Sequence, residues 1–133
     1  MSELGQNRHR ARERALEIFY ESTIKERPVA IIVPELRTTP DAYVLALLAS
    51  AVDHQEQANE LMSEMAIDWP LERIALVDRL IMTLAVGEML MDNSPPVAVI
   101  LDEAVELAKV YSTDGSSSFV NGVLSSIAQR LLE

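Results

Sequence analysis

The sequence predicts an all-α fold, a compact bundle of about six or seven helices formed by one domain over residues 1–133. Three observations carry this. Apolar residues recur at three- and four-residue spacing along most of the chain. The one run with strand-like content, Val29-Ala30-Ile31-Ile32-Val33, has no partner run to pair with and is bracketed by Pro28 and Pro34. Finally, 133 residues at 49% hydrophobic content can bury a core without disulfide or metal staples.

The first helix is expected from about Asn7 or Arg8 to about Lys25, with Ala11, Ala15, Ile18, Phe19 and Ser22 facing inward. Arg8 and Arg12 are four residues apart, as are Arg10 and Arg14, so two short cationic rows are expected along its exposed first turns. Positive charge at a helix N-terminus opposes the macrodipole, and a bound polyanion would relieve it. The plainer reading of such a cluster is a solvated charged end. Residues 29–33 then read as a short helix or a packed connector.

Thr39-Pro40-Asp41 opens a long helix, with threonine as cap and proline in the first helical position. Val44, Leu48, Ala51, Val52, Gln55, Ala58, Met62 and Met65 keep one face to about residue 65. Trp69 and Pro70 mark the next start, with Asp68 as an alternative cap and Trp69 packed in the core. From Ile74 through Met91 the helix is apolar on nearly all sides, which predicts a central position in the bundle. Glu88, a carboxylate in that company, must find hydrogen-bond donors, and free N–H groups at a neighbouring helix start are its expected partners.

Two further amphipathic helices follow, one carrying Val97, Ile100, Leu101, Ala104, Val105, Ala108 and Tyr111, the other Phe119, Val120, Val123, Leu124, Ile127 and Leu131. The polar stretch Ser112 to Ser118 between them offers a glycine for a helix C-terminus and serines to accept from the next helix's free N–H groups. Gly122 inside the last helix costs about 1 kcal/mol relative to alanine, which predicts a close backbone approach there, with Asn121 able to hydrogen-bond across it.

Composition excludes several function classes. There are no cysteines, so no disulfide framework and no thiolate metal site exists. The two histidines, His9 and His54, show no ligand spacing with carboxylates, so no metal is expected, and the methionines read as core filling. No phosphate loop or nucleophile elbow appears, and Glu88 has no second acid, histidine or nucleophile at a recognisable spacing; a binding protein is expected rather than an enzyme, with no cofactor. The N-terminus lacks a secretion signal and no apolar run reaches membrane-spanning length, which predicts a cytoplasmic protein with no membrane partner.

The net charge is −10, with 11 basic and 21 acidic residues. Residues 1–14 hold four of the basic side chains, Arg8, Arg10, Arg12 and Arg14, against Glu3 and Glu13. That leaves 7 basic and 19 acidic residues, a balance of −12, for the remainder. The pattern is a basic N-terminal arm on an acidic body.

The runs DEAVELAKVYSTD from Asp102 to Asp114 and FVNGVL from Phe119 to Leu124 resemble the signature of the transcription antitermination NusB family. Asp78-Arg79, Trp69 and the arginine-rich start running into Ala15-Leu16-Glu17-Ile18-Phe19-Tyr20 extend the resemblance over nearly the whole chain. The resemblance implies two three-helix subbundles sharing one core, and an antitermination factor that pairs with NusE, the ribosomal small-subunit protein, to grip boxA RNA of ribosomal RNA operons within the transcription elongation complex. It assigns phosphate contacts to Arg8, Arg10, Arg12 and Arg14, places Phe119 near the RNA, and makes Asp102, Glu106, Asp114 and Ser118 partner-facing positions. The chain departs from the family pattern at Gly115, where a second acid is usual, at Ser118, where a lysine is common, and at Thr83 and Gly87, where arginine and tyrosine are usual. Lower RNA affinity than the family norm is expected. A second reading is an acidic helical interaction module with weak or no RNA binding. A third, an RNA-targeting module of the kind that precedes some ribosomal RNA methyltransferases, calls for a fused catalytic domain. Monomer and homodimer both remain open.

Overall fold

A helix that is apolar all round can be stable only if other helices surround it. The segment Leu76–Met89 fills that role: Asp78 and every residue from Leu80 to Glu88 are buried. The computed structural model describes residues 2–132. Its helices are α1 (Glu3–Lys25), α2 (Val29–Ile32), α3 (Ala42–Asp53), α4 (Gln55–Met65), α5 (Leu76–Met89), α6 (Val97–Tyr111) and α7 (Ser116–Leu131), with short 3-10 turns at Val33–Glu35 and Leu71–Arg73. Among the described residues there is no strand. The run 29–33 is helical, the first of the two alternatives the sequence left open.

Helix α5 packs against α1, α3, α4, α6 and α7. The helices α1, α2 and α3 group on one side of it, while α6 and α7 pair with it on the other, so the two subbundles share one hydrophobic cluster. The close backbone approach expected at Gly122 occurs instead at Gly87. A Cβ on Gly87 would lie 2.9 Å from the Ala51 amide nitrogen, and the Ser50 hydroxyl donates to the Gly87 carbonyl at 2.6 Å, so α3 and α5 meet backbone to backbone. Gly122 is exposed, and nothing lies within 4 Å of a Cβ built there.

Several boundaries differ from those expected. Helix α1 begins at Glu3, where the Ser2 side chain accepts from the Gly5 amide at 3.0 Å. The arginines therefore start beyond the first turn, and the opposition to the macrodipole expected of them is largely gone. Helix α3 is capped by Asp41, whose carboxylate accepts from the Val44 amide at 3.1 Å, rather than by Thr39. The long helix expected to residue 65 breaks at His54, where φ −109° and ψ 15° leave the helical region and the ring Nδ1 lies 2.8 Å from the Ser50 carbonyl. Val52 and Gln55 are consequently exposed, while Leu47 and Leu61 join the core. Asp68 caps no helix; it adopts a positive φ of 64°, and α5 starts only at Leu76.

Candidate nucleic-acid interface

The arginines of α1 have four different environments. Arg10 is exposed and donates to the Asn7 side chain at 2.6 Å. Arg14 is half-buried. Arg8 lays its guanidinium over the Tyr43 ring, 3.7 Å from the centroid. Arg12 does not belong to an exposed row: it is 6% exposed, and its Nε and Nη2 donate to the two oxygens of Glu88 at 2.8 and 2.6 Å while Nη1 donates to Glu103 at 2.8 Å. The i, i+4 spacing that put Arg12 beside Arg8 was sound, but the α1 face bearing Ala11, Ala15 and Leu16 turns Arg12 into the bundle with them.

This arrangement also answers the question of Glu88. Its donors are side chains, the Arg12 fork and the Tyr43 hydroxyl at 2.5 Å, and not the free N–H groups of a helix start. Among the described residues no buried side-chain nitrogen or oxygen lacks a partner. Burial works against the Arg12 charge, but its hydrogen bonds to Glu88 and the charges of Glu88 and Glu103 outweigh it and hold the guanidinium above its ordinary value. Burial, then the hydrogen bond to Glu88 and its negative charge, push the Tyr43 hydroxyl up to about 12. Tyr43 is thus a neutral donor at any physiological pH. His9 joins the edge of this network, with Nδ1 3.0 Å from Glu103 and Nε2 3.6 Å from Glu13. No group of three or more His, Asp or Glu side chains among the described residues is arranged to hold a metal ion.

Arg8 and Tyr43 line a groove of about 600 Å³ that also includes Leu4, Pro96, Val99 and Asp102. Asp102 therefore stands beside the arginine arm, in the second turn of α6. The loop carrying Asp114 lies roughly 15 Å farther along that helix, at 1.5 Å per residue. Glu106 is exposed between them, 3.4 Å from Lys109. The four partner-facing positions thus form no single cluster.

At the loop end, Asp114 and Ser118 are exposed. The serines of this loop act as donors rather than as caps: Ser112 donates to Asp78 at 2.6 Å and Ser116 to its other oxygen at 3.0 Å, which fastens the loop to the first turn of α5. Gly115, at φ 87°, is the N-cap of α7 rather than the end of α6. Phe119 is half-buried, its ring centroid 6.4 Å from that of Trp69. Trp69, expected in the core, is 48% exposed and is held by its indole N–H to the Arg73 carbonyl at 3.1 Å. Sequence reasoning did not single out Tyr43 or Glu103, because each acts through partners distant in the chain.

The NusB family model matches residues 9–129. The chain belongs to the NusB family. It is 38% identical over 128 residues to the transcription antitermination protein NusB of Thermobifida fusca (strain YX), covering 93% of this chain and 90% of that protein. The corresponding figures for NusB of Bacillus subtilis (strain 168) are 37% over 124 residues, 90% and 93%. A solved NusB from T. maritima superposes with a TM-score of 0.81 at 30% identity, covering 92% of this chain and 90% of the other. The fold is also that of a NusB solved with NusE and double-stranded RNA, at a TM-score of 0.78 and 24% identity, covering 94% of this chain and 98% of that one. Both named relatives are transcription antitermination proteins. Among the described residues no helix is long and apolar enough to cross a membrane.

Proposed function

We propose that this NusB-family chain is a cytoplasmic antitermination factor, its 133 residues acting as one RNA-binding unit that pairs with NusE on boxA RNA of ribosomal RNA operons within the elongation complex. The observation that supports the reading is the division of labour on α1: Arg12 is bound in the core, while Arg10 is exposed and Arg8 and Arg14 are half-buried, which leaves these three for phosphate contact in the proposal. Family membership, and the NusB fold found elsewhere with NusE and RNA, support the partners. The charge map explains why two proteins are needed. An RNA strand leaving the arm meets a body of net −12 and is repelled by nearby acids within a Debye length of about 8 Å. A basic partner on the acidic side neutralises that surface, so each binding event favours the other by linkage.

The test is RNA affinity measured with and without saturating NusE. Strengthening by roughly tenfold is expected, a modest coupling. Two constants that agree within about threefold remove cooperative assembly. The acidic body also favours a second reading, an interaction module without RNA; NusE binding with no measurable RNA affinity in either mixture would establish it.

A further inference from the structure

We infer that Tyr43 is a positioning residue for RNA binding, its ring holding the Arg8 guanidinium flat and ready to receive a phosphate at the mouth of the α1–α3–α6 groove. This rests on the arm reading above. Three observations carry it. The guanidinium stacks 3.7 Å from the ring centroid, an arrangement that covers one face of the cation and leaves its in-plane N–H donors available. The ring itself is immobilised, because its hydroxyl donates at 2.5 Å to Glu88, which the Arg12 fork holds in place. Two nearby acids that could otherwise draw Arg8 off the ring are already engaged, Glu88 by Arg12 and Tyr43 and Glu103 by Arg12 and His9.

The consequence is pre-organisation. A free arginine loses much side-chain freedom when it grips a phosphate, and one already stacked has lost most of it beforehand. The buried ion pair thus contributes to RNA binding without touching RNA, through the chain Arg12, Glu88, Tyr43, Arg8. Asp102, lining the same groove, limits which part of the ligand can enter, since a phosphate placed against it would be repelled.

A double-mutant cycle on the full chain, read as affinity for a boxA oligonucleotide and its salt dependence, tests the proposal. Tyr43→Leu and Arg8→Ala should each weaken binding by roughly tenfold, with little further loss when combined, and Arg8→Ala should also lower the salt slope by about 0.7. Tyr43→Phe keeps the ring but frees it from Glu88, so its affinity should fall between those of the parent and Tyr43→Leu. Arg8→Lys keeps the charge without the planar fork and should lose several-fold, a readout that needs no change at Tyr43. Additive losses in the cycle, or an Arg8→Lys variant that binds like the parent, overturn the inference. Arg10→Ala tests the underlying reading separately: if it leaves RNA affinity unchanged the arm is not the site, whereas a loss there with an additive cycle removes the role of Tyr43 alone.

Discussion

Arg12 and Glu88, 76 residues apart in sequence, meet inside the bundle through two hydrogen bonds of 2.8 and 2.6 Å, with side chains 7% and 2% exposed. The pair couples the N-terminal arm to the most buried helix. Such a pair adds little net stability over an apolar one, because desolvating both charges offsets their attraction, but breaking it leaves a charge stranded.

Arg12→Ala should therefore cost about 3–5 kcal/mol, measured by urea unfolding. Arg12→Met combined with Glu88→Leu should recover part of that loss, since it removes both charges of the pair at similar volume while leaving Glu103 and the Tyr43 hydroxyl without these partners. A double variant as unstable as Arg12→Ala would mean that the pair is a net source of stability.

Alkaline pH should erase the contribution of the Tyr43 hydroxyl. Its folded-state pKa, pushed up to about 12 from 10.0, lies above the unfolded value, so its stabilisation is fully present below pH 10 and lost as pH rises through 12. The excess stability of the parent over Tyr43→Phe should be constant at neutral pH and shrink over that window. An excess unchanged from pH 9 to pH 12 would contradict the burial of the hydroxyl together with its hydrogen bond to Glu88.

Opposite signs are expected for two glycine substitutions. Gly87→Ala drives a methyl to within 2.9 Å of the α3 backbone and should destabilise by about 1–3 kcal/mol. Gly122→Ala meets nothing within 4 Å on an exposed helical surface and should stabilise by about 1 kcal/mol through helix propensity. Thermal melts of the two variants read this directly, and shifts in the same direction would refute the helix contact.

Leu84→Ala should cost about 2–5 kcal/mol by opening a cavity in α5. Thr83→Ala should be milder although Thr83 is also buried, because its hydroxyl bonds only the Arg79 carbonyl of its own helix, at 2.8 Å. Equal losses would indicate that the Thr83 methyl and hydroxyl make interhelical contacts that matter.

The salt dependence of RNA binding should reflect three arginines rather than four. With Arg12 occupied in the core, Arg8, Arg10 and Arg14 predict a slope of log affinity against log salt of about −2 for a single strand. Replacing Arg10 and Arg14 by alanine should leave about one third of it. A slope near −3 would require a further cation from elsewhere on the surface.

Periodicity alone determined that this chain is helical, which helix is central and most of the inward faces of α1, α6 and α7, although on α6 Tyr111 proved exposed and Leu107 took a core place, because helical spacing is a local property that each segment carries in its own residues. The FVNGVL and DEAVELAKVYSTD runs likewise disclosed the family without reference to the fold. Which arginine is structural was decided only when α1 met α5 and α6: Arg12 lies on the face that carries Ala15 and Leu16, and the acids opposite it there, Glu88 and Glu103, come from distant parts of the chain. The transfer of close packing from Gly122 to Gly87 has the same origin as the burial of Arg12. Each depends on the distance and crossing of helices far apart in the chain, where the free energy of packing outweighs the roughly 1 kcal/mol preferences that single residues express locally.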